Sequence, residues 1–154
     1  MFRLKSLAFM FMATVIFTFC KKEKGALKEE DGYVYYEVGF KSTASDWRDT
    51  AFIVRTDSQQ LIQQADAQLA LPVAQRKIVF GTLVAGDGGY NKNASHVFNW
   101  HFKEDAWSFV DVTIEIYDGR PYTDVHLNTQ YWLNTMTRFG AWGSYIKKKL
   151  DGKP

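Results

Sequence analysis

The side chains able to do chemistry are few: three histidines, His96, His101 and His126, one cysteine, Cys20, and carboxylates that include Asp87, Glu104, Asp105 and Asp118. A zinc site needs several such ligands converging on one point. His96 and His101 are five residues apart, which on one extended segment points them to opposite faces. A lone cysteine excludes multi-cysteine metal sites and any intramolecular disulfide. Ser95, His101 and Asp118 can be written as a triad, but no Gly-x-Ser-x-Gly elbow supports it. Glu104 and Asp105 are adjacent, so in a strand they point apart and do not form an acid–base pair. No metal and no cofactor is expected, and the leading expectation is a non-enzymatic binding domain. A small hydrolase using His101 or His126 with Asp118 is a rival.

A glycine-rich stretch, Gly86-Asp87-Gly88-Gly89, opens a loop that runs to about Ser95. Glycine there frees the backbone for left-handed turns. A phosphate cradle would need a following helix with a Lys-Ser/Thr pair, and none follows. Asp87, Asn91 and Asn93 miss the spacing of a calcium loop. Trp100, Trp107, Trp132 and Trp142 could line a sugar or peptide groove, with aromatic core packing as the plainer alternative. The candidate binding surface is therefore Asp87, Tyr90, Asn91, Trp100, His101, Asp118 and Trp142, for an unidentified protein or carbohydrate ligand. A rigid exposed loop would also suit an inhibitor of secreted peptidases.

The cysteine sits at an informative place. Arg3 and Lys5 precede an uncharged apolar run, Leu7 to Phe19, which meets Cys20 and then the polar KKEK. That is the layout of a signal peptide over residues 1–19. A permanent span needs about 20 apolar residues, and this run is shorter. A cysteine at the end of such a run resembles a bacterial lipoprotein signal, in which cleavage exposes the cysteine and its sulfur takes lipid. Phe19 departs from the small residue usual before it. The expectation is a lipid-anchored protein of the bacterial cell envelope, at the outer membrane or cell surface, with secretion as the alternative. Residues 20–32 read as a charged, flexible tether. Without residues 1–19 the 19 cations fall to 17 and match the 17 acids. No basic face for nucleic acid is then expected.

The elements that must position these residues fit one domain over residues 33–152, of α+β class, with a mainly antiparallel sheet and two helices packed on it. Tyr33–Phe40 and Thr50–Arg55 read as strands. Thr56-Asp57-Ser58 caps a helix carrying Leu61, Ile62, Ala65 and Leu69 at helical spacing, and Pro72 ends it. Lys77–Val84 is a near-continuous apolar strand suited to a central position. Val97–Lys103 and Trp107–Tyr117 read as two more strands. Asp118-Gly119 turns the chain and Pro121 starts a second helix that includes Val125, Leu127, Trp132, Leu133 and Met136. Arg138–Ser144 reads as irregular, and Tyr145–Leu150 as a terminal turn or short helix whose last turn carries Lys147, Lys148 and Lys149.

The segments FIVRTDSQQLIQQA, GYN at Gly89–Asn91, NWHF at Asn99–Phe102, DVTIEIYDGRPYTDV at Asp111–Val125 and RFGAWGS at Arg138–Ser144 together resemble the N-terminal-domain family named for a slime-mould calmodulin-binding protein. The resemblance covers Ala51 to Leu150. The family usually has a cysteine where this chain has Tyr117, another where it has Gly140, and a proline where it has Ala141. Loss of both cysteines together implies that they are disulfide partners in the family, and that Tyr117 here packs near Gly140. The resemblance does not bring calmodulin binding to an exported chain, and a basic amphipathic helix is lacking.

Overall fold

The computed structural model describes residues 31–113 and 118–154. The signal segment, Cys20 and the tether up to residue 30 lie outside the described residues, and so does Tyr117 with its expected packing on Gly140.

Strand β1 (Val34–Phe40) runs antiparallel to β2 (Ala51–Thr56), joined through a short 3₁₀ turn at Trp47–Asp49. Helix α1 (Gln59–Leu69) follows, capped as expected by the Ser58 hydroxyl, which accepts from the Leu61 N–H. Leu61 and Ala65 turn to the core, and the Tyr36 hydroxyl donates to Asp66 at 3.0 Å, pinning the helix to the first sheet. Beyond the helix, Arg76 donates to the carbonyls of Leu69, Leu71 and Ile146, tying the helix end to the last strand.

Strand β3 (Ile78–Ala85) does take the central place of a second sheet. A two-residue hairpin, β4 (Lys92–Asn93) with β5 (His96–Val97), leads into β6 (Trp100–Val110). Two wide π-type helical turns, Pro121–His126 and Trp132–Met136, flank a short α-helical turn at Thr129–Tyr131. The chain ends with β7 (Arg138–Gly140) and β8 (Ser144–Lys149). The sheet orders are β2-β1-β8 and β6-β3-β7, all pairs antiparallel. The fold class is α+β, mostly sheet, as the sequence indicates.

Three expectations need correction. The two strands expected over Val97–Lys103 and Trp107–Tyr117 are one strand, β6. Gly81 faces Trp107 while Leu83 faces Phe102, so the charged stretch between those β6 residues bulges out opposite the single residue Thr82. The strand stops at Val110 because its partner β3 begins at Ile78, the residue opposite. Arg138–Gly140 is a strand on the free edge of β3. The segment expected to be a terminal helix is β8. It pairs with β1, and Lys147 and Lys148 reach across to Glu37 at 2.7 and 3.0 Å.

The sheets enclose a largely aromatic core. Phe52 lies at its centre, with ring centroids 5.4 to 6.2 Å from those of Phe40, Trp100, Phe102 and Phe139. Neither seam between the sheets carries a β-ladder, and side chains close both. At one seam the Ser144 hydroxyl accepts from the Val79 N–H at 3.1 Å. At the other, buried Asn91 accepts from the Ile53 N–H at 2.9 Å and donates to the Trp100 carbonyl at 2.7 Å. Trp107 donates its indole N–H to the Arg55 carbonyl, and Arg55 pairs with Glu104 on the β6 bulge.

Buried backbone groups stripped of their only partner cost about 1–3 kcal/mol each. Asn91→Ala strips two, so urea denaturation should show a loss of roughly 2–5 kcal/mol. A loss near zero would mean that the seam closes without the amide.

Candidate functional site

The glycine-rich loop is built for packing. Asp87 closes it on itself, its carbonyl accepting from the Tyr90 and Asn91 N–H groups and its carboxylate from Gly89. Gly88 has φ +61°, and a Cβ there would lie 2.6 Å from the Tyr90 ring and 3.0 Å from the His101 ring. The loop therefore presses Tyr90 down, away from solvent, against Tyr35 and His101 on the outer face of the first sheet. The Tyr90 hydroxyl donates to the Phe102 carbonyl. Tyr90, Asn91, Trp100 and His101 are all buried, and this corrects their assignment to a binding surface. Trp100 spends its indole N–H on the Pro121 carbonyl, and His101 bonds the Gly86 carbonyl at 2.7 Å. The exposed tip is a tight turn in which Ala94 has φ +48°.

His101 stands apart from the other two histidines, which the fold brings together. Asp49, buried in the turn before β2, accepts from the N–H groups of Tyr122 and Thr123 and from the Thr123 hydroxyl. That long-range cap sets the Pro121–His126 turn beside the β4–β5 hairpin. The ring of His96 then lies 4.7 Å from His126 and 4.9 Å from Tyr122, and Arg48 stacks 3.6 Å above Tyr122. His126 accepts the Asn99 N–H on Nδ1, so its remaining proton sits on Nε2 and that nitrogen cannot ligate a metal in the neutral ring. Nε2 of His96 is buried without a hydrogen-bond partner among the described residues. No carboxylate bonds any of the three rings there. Asp118 instead borders a separate polar groove with Asp49, Arg120 and Thr123.

Trp142 remains as a functional candidate. It is 43% exposed, whereas Trp100, Trp107 and Trp132 belong to the core. It occupies the second corner of a turn in which the Ser144 N–H donates to the Ala141 carbonyl at 2.9 Å and Gly143 takes φ +70°. Both flanks are fixed, since Ala141 and Ser144 are buried and the Gly143 carbonyl accepts from Lys41 N–H. Gly119, at φ +67°, passes so close that a Cβ would lie 2.7 Å from the Trp142 nitrogen. On one side the indole walls an apolar cavity of about 360 Å³, lined also by Phe80, Val110, Trp132, Met136 and Phe139. On the other it walls a polar groove that holds Lys41, Arg76 and Lys77. Sequence reasoning singled out Trp142 but missed both partners, because their residues come from strands far apart in the chain.

The histidine pair has a pH consequence. Burial and then the nearby Arg48 charge lower the pKa of His96; burial, His96 and Arg48 lower that of His126. The unfolded chain, with histidines near 6.5, therefore takes up protons first as pH falls. The stability is intact above about 6.5 and declines as pH drops through that value toward the folded pKa. Thermal melts between pH 7.5 and 5.5 should show a falling Tm, with a shallower slope in His96→Gln/His126→Gln. An equal slope in both proteins would discard this origin.

No curated protein and no solved structure matches the chain. A family match does exist, and it is to the N-terminal-domain family whose motifs the sequence resembles, over residues 36–153. The motifs from FIVRTDSQQLIQQA to RFGAWGS are thus parts of a longer unit that starts within β1 and runs past β8. The chain belongs to the N-terminal-domain family named for the slime-mould calmodulin-binding protein.

Proposed function

We propose that this chain is an exported lipoprotein, tethered to the bacterial envelope by acylated Cys20, whose folded domain binds a ligand at Trp142 without catalysing a reaction. The observation that carries the binding half is the half-exposed indole held on a rigid corner over an apolar cavity. A large ring fixed in place before the ligand arrives loses little freedom on binding. A volume of about 360 Å³ lies at the small end of ligand pockets, which span roughly 300–1,000 Å³. The chemistry-bearing side chains are meanwhile engaged elsewhere: His101 on a carbonyl, His126 on an amide, Asp49 and Asp124 on backbone N–H groups. The anchoring half rests on the sequence around Cys20, where the apolar run stops and a charged spacer begins.

Two measurements test the two halves. Mass spectrometry of the mature N-terminus should find acyl mass on Cys20, and Cys20→Ala should move the protein out of the membrane fraction; a wild type without lipid ends the anchoring reading. For the site, the neutral fluorophore N-phenyl-1-naphthylamine should bind saturably to the chain from residue 20 carrying Cys20→Ala. Trp142→Ala should weaken it tenfold or more, and undiminished binding would place the site elsewhere.

A further inference from the structure

We infer that the ligand at Trp142 is a single-chain amphiphilic anion, such as a medium-chain carboxylate, with its chain in the apolar cavity and its charged end at Lys41 and Lys77. The inference rests on the proposed binding site and adds the chemistry of its occupant. Trp142 is the one side chain shared by the cavity and the basic groove. A ligand lying across the indole therefore meets hydrocarbon on one side and positive charge on the other.

The groove is positive for an identifiable reason. Lys41, Arg76 and Lys77 line it, against a single carboxylate, Asp111. Arg76 spends its guanidinium on three backbone carbonyls, and Lys41 bonds the carbonyls of Ala74 and Arg76 at 3.4 and 3.0 Å. Carbonyls satisfy hydrogen-bond donors without cancelling their charge. Only Lys77 has a carboxylate partner, Asp111 at 3.1 Å, and both of those side chains are exposed, so water screens the pair. An ammonium has three donors, so Lys41 keeps one for a ligand oxygen.

The cavity excludes other anions by its lining. Phe80, Val110, Met136, Phe139 and the two tryptophans offer no hydrogen bonds suited to the edge of a base or a sugar ring, and its one charged lining residue is Arg138 at the exposed rim. Burying a polar ligand there would strand its hydrogen-bonding groups. An alkyl chain loses nothing by entering, and each buried methylene gains about 0.8 kcal/mol. The small volume favours one chain over the two of a membrane phospholipid.

The test uses the chain from residue 20 with Cys20→Ala, whose core lies wholly within residues 33–150. Decanoate, decanol and butyrate are titrated calorimetrically below any micelle concentration. The expected result is one-to-one binding of decanoate, at least tenfold weaker decanol and still weaker butyrate. Lys41→Gln/Lys77→Gln should bring decanoate down to the decanol level and leave decanol unchanged. Lys77→Gln alone, which touches no backbone bond of the groove, should give part of the loss should the double variant unfold. Decanol binding as tightly as decanoate, or decanoate affinity surviving both lysine changes, overturns the anionic assignment. Loss of affinity in Arg138→Gln instead would refute the placement of the charged end. If the naphthylamine probe binds and decanoate does not, the ligand class is wrong while the site stands; if neither binds, the site itself is wrong.

Discussion

Two three-stranded sheets that face each other must close two seams, and here the closure is made by side chains. Asn91 is the critical one. Its amide carries an acceptor and a donor on one planar group, and it meets a strand N–H on β2 and a strand carbonyl on β6 in the way a neighbouring peptide would. A carboxylate in its place would offer only acceptors, and a leucine neither. The glycine-rich loop exists in this form because Asn91 must enter from outside the sheets. Gly88 lets the loop pass over Tyr90 and His101, and Asp87 locks the turn that aims the amide inward. The opposite seam depends on a hydroxyl, Ser144, and that residue also closes the turn presenting Trp142. Seam and site are thus mechanically continuous.

The elements legible in the sequence are those whose burial is regular. β1, β2, α1 and β3 have alternating, helical or continuous apolar patterns, and each falls where its pattern places it. β8 does not, because only Ser144 and Ile146 are buried and three lysines follow. Its strand character comes from β1, through the ladder and through Glu37, whose carboxyl the two lysines pull below its usual range although burial pushes the other way. β7 is three residues long and owes its form to the edge of β3. β6 reads as two strands because the charged Lys103-Glu104-Asp105 interrupts the pattern. In three dimensions that interruption is a bulge, and Glu104 on it reaches Arg55 across the seam. The second helix is broken into wide turns and ended by Thr137 at φ +57°, which residue types alone do not announce.

Glycine, aspartate, asparagine and aromatic rings in one loop have the composition of a ligand site and equally of an inward-pointing plug. The difference is burial, set by what packs on the loop and invisible in residue type. Asp49 shows a second limit. An aspartate before a strand carries no sign that it caps a helical turn more than seventy residues later, yet that cap juxtaposes His96 and His126. Trp142 was legible as a candidate because a tryptophan next to glycine at a turn is poorly placed to be buried on all sides. Its cavity and its cations were not, since they come from β3, β6, β7 and the segments on either side of α1.

The missing cysteines bear on the same corner. In the family, as the resemblance implies, a bridge would fasten the residue two before Trp142. Here that residue is Gly140, and a Cβ on it would collide with Oγ1 of Thr113 and lie 2.8 Å from the Phe80 ring. The space beside the backbone is already filled, so this chain has replaced a covalent link with close packing. A bridge stabilises chiefly by restricting the unfolded chain, whereas packing acts on the folded state and is lost when neighbours move. The rigidity of the Trp142 corner therefore depends on contacts that are individually modest: the approach of Gly119, the buried Ala141, the Ser144 hydroxyl on Val79. Loosening any of them would free the indole before it unfolded the domain. The corner is coupled to the core tightly enough to be preorganised and loosely enough to open.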